Sequence, residues 1–120
     1  MDLNLRGRRA LVTGASKGIG RAIAESLAAE GCRIDIAGRS LEALGQAADE
    51  IGTRVPGAEI RIHAADLSRP EDQARLAGAC IDADILVNNA GAAAAGSLED
   101  AEEAMWRSSW HLKVFGYINL

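Results

Sequence analysis

Arg9-Ala10-Leu11-Val12-Thr13 runs into Gly14-Ala15-Ser16-Lys17-Gly18-Ile19-Gly20, and the passage between the two decides the architecture. The first five residues have the composition of a short buried strand, and Gly14 ends it. A helix follows, with Ile19, Ile23 and Leu27 one turn apart on one face and alanines between them; Gly31 stands where a left-handed C-cap belongs. A glycine turn between strand and helix is a phosphate cradle. Without Cβ atoms the backbone turns tightly and approaches a pyrophosphate, while the free N–H groups and the positive end of the helix dipole face the anion. The spacing is neither G-x-G-x-x-G nor the P-loop G-x-x-x-x-G-K-[ST], which disfavours a nucleoside-triphosphate hydrolase. Glycine also caps helices and makes plain turns, so the loop takes its meaning from the strands and helices around it.

Working outward, residues 33–38 (Arg-Ile-Asp-Ile-Ala-Gly) read as a second strand. Ser40 then reads as an N-cap, with Leu41, Leu44, Ala48 and Ile51 along a helical stripe. Val55-Pro56-Gly57 is a turn by composition. Residues 59–64 alternate charged and apolar, as suits an edge strand with one wet face. Ser68 and Glu71 around Pro70 have the spacing of a capping box opening a third helix. Residues 84–88 form a fourth strand, and a Gly/Ala loop from Gly91 to Gly96 precedes a last helix beginning near Ser97. The alternation βαβαβαβα implies parallel strands, right-handed crossovers and helices on both faces, a doubly wound α/β sheet.

Composition narrows the function classes. The 120 residues, 48% apolar and 25% charged, suit one globular domain with a real core. A net charge of -4 argues against nucleic acid as a partner. Residues 1–40 nevertheless carry seven Lys/Arg against four Asp/Glu, which points to an anion site near the start of the chain. No apolar run approaches a signal peptide or a membrane span, so no membrane partner is expected and a cytoplasmic location is. Cys32 and Cys80 are in no metal-binding pattern and read as buried, reduced, inert thiols. His63 and His111 lack a partner spacing for a metal or a nucleophile and read as structural. Trp106, Trp110 and Phe115 recur at helical spacing near the end of the chain, as core or subunit contact.

At this point the residues resemble a family. Thr13-Gly14-x-x-x-Gly18-x-Gly20 is similar to the cofactor loop of the short-chain dehydrogenase/reductases. Asp66-Leu67 after strand three resembles that family's adenine-contacting acid and its neighbour, and Asn88-Asn89-Ala90-Gly91 matches its N-N-A-G motif. Trp110-x-x-Lys113 falls where the family usually shows W-x-x-N. The resemblance implies a Rossmann-type sheet in the order 3-2-1-4, truncated after the fourth strand and helix, with residues 1–120 as an NAD(P)-binding domain incomplete on its C-terminal side. It further implies cofactor contacts from Thr13, Gly14, Ser16, Lys17, Gly18, Ile19 and Gly20, with Thr13 tying strand one to strand four. Asp66 would accept from the adenine amino group, Leu67 would offer its backbone beside the ring, and Asn88, Asn89, Ala90 and Gly91 would approach ribose and nicotinamide. Asp66 also reads simply as a turn acid.

The tip of strand two separates NADP from NAD. An acid there accepts from the 2′-hydroxyl of NAD and repels the 2′-phosphate of NADP, which an arginine accommodates. Here the strand ends Ala37-Gly38-Arg39-Ser40, with no acid. Arg39 offers a charge-assisted fork, Ser40 a hydroxyl, and Lys17 a second cation, so NADP is favoured over NAD. The alternative for Arg39 is a solvated loop residue stacking on adenine. Asp35 sits in mid-strand, too early to reach a ribose, and is expected to pair with Arg61 on the neighbouring strand.

Hydride transfer to a carbonyl needs a proton donor. The family's Y-x-x-x-K does not occur, Tyr117 being the sole tyrosine, and Lys113 occupies the place of the relay asparagine, either ordering a water or serving as a surface cation. The expected function is hydride transfer between NADP(H) and a small carbonyl or secondary alcohol, this chain supplying the cofactor-binding half; the resemblance also implies a homo-oligomer through the last helix if the chain is complete. Two alternatives stay open: a catalytically inactive NADP(H)-binding or partner-dependent fragment, and a flavodoxin-like domain, which leaves N-N-A-G unexplained. Without a fifth strand beside it, strand four becomes an exposed edge, and a chain of 120 residues is expected to be marginally stable or partner-dependent.

Overall fold

A computed structural model describes residues 3–89. They form β1 (Arg9–Thr13), α1 (Gly18–Ala29), β2 (Arg33–Gly38), α2 (Leu41–Arg54), β3 (Ile60–Ala64), α3 (Pro70–Ala79) and β4 (Ile85–Val87). All strand pairs are parallel, in the order β3-β2-β1-β4. This is the expected 3-2-1-4 arrangement, a Rossmann-like α/β fold. The helix expected from Ser97, its aromatic stripe, Ala90, Gly91, His111, Lys113 and Tyr117 lie outside the described residues.

The two central strands are buried on both faces. On one face Ala10, Val12, Ile34 and Ile36 pack with Ala24 and Ala28 of α1 and with Leu44, Ala47 and Ile51 of α2. On the other, Leu11 and Ala37 pack with Ala65, Leu67, Leu76 and Cys80 from α3 and its flanking loops. Ser40 caps α2 as expected, its Oγ accepting from Ala43 N at 3.1 Å. Gly31, at φ +90°, closes α1 as a Schellman turn, Gly31 N donating to Ala28 O and Cys32 N to Leu27 O.

Three sequence expectations are corrected. The face that α1 presents to the sheet is Gly20, Ala24 and Ala28, with Ile23 and Leu27 flanking it and Ile19 73% exposed. Small residues let the helix backbone lie close to the strands, which turns the larger side chains to either side. Leu41 is likewise exposed, at the first turn of α2, and Leu44, Ala47 and Ile51 carry the burial. The Ser68–Glu71 capping box does not form. The N-cap of α3 is Arg69, without a side-chain cap, and Ser68 instead donates through both N and Oγ to Asp66 Oδ1, at 3.0 and 2.6 Å. Glu71 turns outward to Arg69 Nη2 at 3.3 Å.

The outer strands are shorter than their composition suggests. β3 begins at Ile60, and its one-wet-face alternation is blurred, since Arg61 and Ile62 are both exposed. β4 is Ile85–Val87 instead of 84–88, because past Val87 the chain leaves the ladder: Asn89 N donates to the Thr13 hydroxyl. Among the described residues β4 is an edge, with Leu86 exposed.

Candidate functional site

Parallel strands of an open sheet leave a crevice beyond their C-terminal ends, where the order reverses. In this chain that crevice is a cleft of ≈ 410 Å³ lined by Gly14, Ser16, Lys17, Gly18 and Ile19 from the first turn, Ala37, Gly38 and Arg39 from the tip of β2, Ala65 and Leu67 after β3, and Asn89 after β4. Eight of the residues singled out in the sequence, Gly14, Ser16, Lys17, Gly18, Ile19, Arg39, Leu67 and Asn89, thus share one cavity. Ala37, Gly38 and Ala65 join the wall without any signal in residue type.

The donor set suits an anion. α1 begins at Gly18 after Lys17, with no side-chain cap and no acid in its first turn, so its leading N–H groups remain available to a ligand. Gly14 and Gly18 have φ of +65° and +63°, and a Cβ on Gly18 would stand in open space. The loop is anchored from behind: Gly14 N and Ala15 N donate to Ala37 O at 2.9 and 3.4 Å.

Thr13, Gly20 and Asn89 fix the far wall. Thr13 Oγ1 donates to Val87 O at 3.3 Å and accepts from Asn89 N at 3.0 Å, tying β1 to β4. Asn89 Nδ2 donates to Gly14 O at 3.2 Å. Gly20 sits under this junction, where a Cβ would overlap the Gly14 carbonyl and lie 2.5 Å from Asn89 Nδ2. Thr13, Gly20, Ser40, Asp66 and Asn88 therefore stand behind or beside the cleft and do not line it. Ser40 spends its oxygen on the α2 cap, and Asn88 is exposed.

Arg39 follows the tip of β2, where the sequence has no acid. Arg39 and Lys17 line the cleft together, and neither forms an ion pair with a described residue. Asp66 has the geometry of a turn acid, its Oδ1 held by Ser68. That hydrogen bond, with the neighbouring Arg39 and Arg69, keeps its carboxyl below the usual carboxylate range against the opposing effect of burial.

The model of the short chain dehydrogenase family matches residues 8–120. The chain belongs to the short-chain dehydrogenase family. It is similar to the uncharacterized oxidoreductase YvaG of Bacillus subtilis (strain 168), 38% identical over 120 residues, which are 100% of this chain and 46% of that protein. L-xylulose reductase of Bos taurus is 43% identical over 93 residues, 78% of this chain and 36% of the enzyme. Among solved structures, L-sorbose reductase from Gluconobacter frateurii complexed with NADPH and L-sorbose superposes with a TM-score of 0.92 at 34% identity, covering 100% of this chain and 47% of that one. The chain spans about half the length of the relatives it matches.

In this short-chain dehydrogenase sequence a second polar cluster lies away from the cleft. Asp35, fully buried, accepts from Arg61 Nε at 2.7 Å, as the sequence suggests. It also holds Arg61 Nη2 at 3.3 Å and His63 Nε2 at 2.9 Å, and pairs with Arg9 Nε at 3.2 Å. Arg9 reaches on to Asp82. Cys80 Sγ lies 3.7 Å from His63 Nε2, so Asp35, His63 and Cys80 form a group with metal-ligating chemistry. Both carboxylate oxygens, however, are already occupied by guanidinium groups, and the cluster is a charge-matched tie between β1, β2 and β3. Burial pushes the Cys80 thiol up to about 11, and Cys32 is raised for the same reason, with Glu30 and Asp84 adding to it. Both thiols are buried and free, as expected. No helix among the described residues is long and apolar enough to cross a membrane.

Proposed function

We propose that this chain is the cofactor-binding part of an oxidoreductase that moves a hydride between NADP(H) and a small carbonyl or secondary alcohol. The observation that carries the reading is the cleft itself: a glycine loop and an uncapped helix start on one side, and Arg39 in place of an acid at the tip of β2 on the other. NADP(H), when bound, supplies the hydride chemistry. The loop residues Gly14 to Gly20 would hold its pyrophosphate, Arg39 and Lys17 its 2′-phosphate, Asp66 and Leu67 its adenine, and Asn88 to Gly91 the nicotinamide end. Residues 1–120 are read as one NAD(P)-binding Rossmann domain in a cytoplasmic protein that assembles as a homo-oligomer. No Y-x-x-x-K occurs in the sequence, so the reading gives these residues cofactor binding, with Lys113, at the position that the resemblance gives the relay asparagine, as the candidate for the proton relay.

Titration with NADPH and NADH, followed by nicotinamide fluorescence, tests this. NADPH is expected to bind more tightly, and Arg39→Ala to weaken NADPH by about 10- to 150-fold while leaving NADH nearly unchanged, the worth of one charged hydrogen bond. Equal affinities in the unaltered chain, or a ratio that Arg39→Ala does not move, would overturn the assignment.

A further inference from the structure

The loop after β3 is held from one side by a single helix. Arg75 Nη2 donates to Ala64 O at 2.9 Å, Asp72 Oδ2 accepts from Asp66 N at 2.7 Å, and Gln73 Nε2 donates to Leu67 O at 2.7 Å. Arg75 and Asp72 are themselves paired at 3.2 Å. Three backbone groups within four residues are thus fixed by side chains from the first two turns of α3.

Gln73 is the unusual member. It is 2% exposed, on the face of α3 that also buries Leu76. A buried amide costs free energy unless it is bonded, and an apolar side chain of similar size would fill the same volume with no such demand. Its short bond to Leu67 O therefore reads as a constraint on the loop as well as a packing contact. That loop supplies Ala65 and Leu67 to the cleft wall and carries Asp66, whose Oδ1 Ser68 already engages. A hydrogen bond from a ligand amine to this loop depends on placement to within a few tenths of an ångström.

We propose that Gln73, supported by Asp72 and Arg75, is a positioning residue that sets the loop 65–69 for discrimination of the adenine base; the inference rests on the cofactor reading above. Gln73 touches Leu67, not the ligand. The amino group at C6 of adenine is the feature that the positioned loop recognises.

The test compares NADPH with its hypoxanthine analogue, which carries an oxo group in place of the C6 amine, on the full 120-residue chain. The unaltered chain is expected to prefer NADPH by about 3- to 10-fold, the worth of one neutral hydrogen bond. In Gln73→Leu that preference falls to near unity. The NADPH-to-NADH ratio, which reports the phosphate corner, stays as it was, whereas general loosening of the domain would lower both. Should Gln73→Leu fail to melt cooperatively, Gln73→Met, of similar length and without a hydrogen-bond donor, decides by the same two ratios. A base preference that survives in the folded variant, or none in the unaltered chain, overturns the role of Gln73. Failure of the unaltered chain to bind either dinucleotide overturns the cofactor reading itself, and is seen before any variant is made.

Discussion

Substituting Gly20 by alanine places one methyl group at the most crowded junction of the site. Its Cβ would overlap the Gly14 carbonyl oxygen and lie 2.5 Å from Asn89 Nδ2, where ordinary contact begins at 3.4 Å. The nearer clash is with the Gly14 backbone, so α1 must retreat from the sheet by about 1 Å, and the Asn89 amide is expelled where it cannot follow, because a close-packed interior has no slack to absorb the difference. Overpacking of this kind costs about 1–3 kcal/mol. Expelling Asn89 also forfeits its 3.2 Å bond to Gly14 O, for about another 0.5–1.5 kcal/mol. A loss of about 2–4 kcal/mol corresponds to a fall in Tm of roughly 8–16 °C for a domain of this size. The same retreat carries the first-turn N–H groups away from the cleft, so NADPH affinity is expected to fall at least about tenfold, one charge-assisted hydrogen bond's worth. Differential scanning calorimetry and an NADPH titration measure both. A Gly20→Ala protein that melts within about 2 °C of the original, a shift worth well under 1 kcal/mol, and binds NADPH unchanged would refute the packing argument.

Two further outcomes follow from the buried polar groups. Asp35→Asn removes the charge that matches Arg9 and Arg61 while keeping the shape, and is expected to destabilise the fold by about 3–5 kcal/mol in urea titration; a loss below about 1 kcal/mol, the level of a surface pair, would show that solvent already screens the cluster. With its thiol pushed up to about 11, Cys80 holds little thiolate at neutral pH, so labelling by a disulfide reagent at pH 7 should be slow and should accelerate on raising the pH towards 11 or on adding denaturant; rapid labelling of the folded chain at pH 7 would contradict that environment.

The sheet was legible because β1 carries an unbroken apolar run, β2 one that only Asp35 interrupts, and glycines sit at the joins. β1 and β2 begin and end where Gly14, Arg33 and Gly38 suggest, and Ser40 caps α2 as its position implies. The helical stripe set Ile19 beside Ile23 and Leu27 because periodicity reports which residues are apolar and not which ones a helix of glycine and alanine turns inward; the glycine-loop resemblance set it in the cleft wall, where it lies. The capping box failed for a related reason. Ser68 has a nearer acceptor in Asp66, and a local side-chain bond competes with a helix cap for the same hydroxyl. Within the cleft, the charged side chains of the wall, Lys17 and Arg39, were readable one by one, as was the pairing of Asp35 with Arg61. The backbone contributions of Ala37, Gly38 and Ala65 leave no trace in residue type, and Gln73 is visible only once α3 is seen lying against its own preceding loop.

The double duty of Thr13 bears on how the chain finds its fold. β4 follows β1 by more than seventy residues, and contacts of that sequence separation form late and slowly, because the intervening chain must first give up its freedom. Over three residues of ladder, Ile85–Val87, apolar packing alone distinguishes poorly between neighbouring alignments. The Thr13 hydroxyl satisfies Val87 O and Asn89 N together only when Val12 stands opposite Val87. A single hydroxyl behind the cleft thereby favours one register of β4 as it docks, and a chain that docks out of step loses the cleft's far wall together with its register.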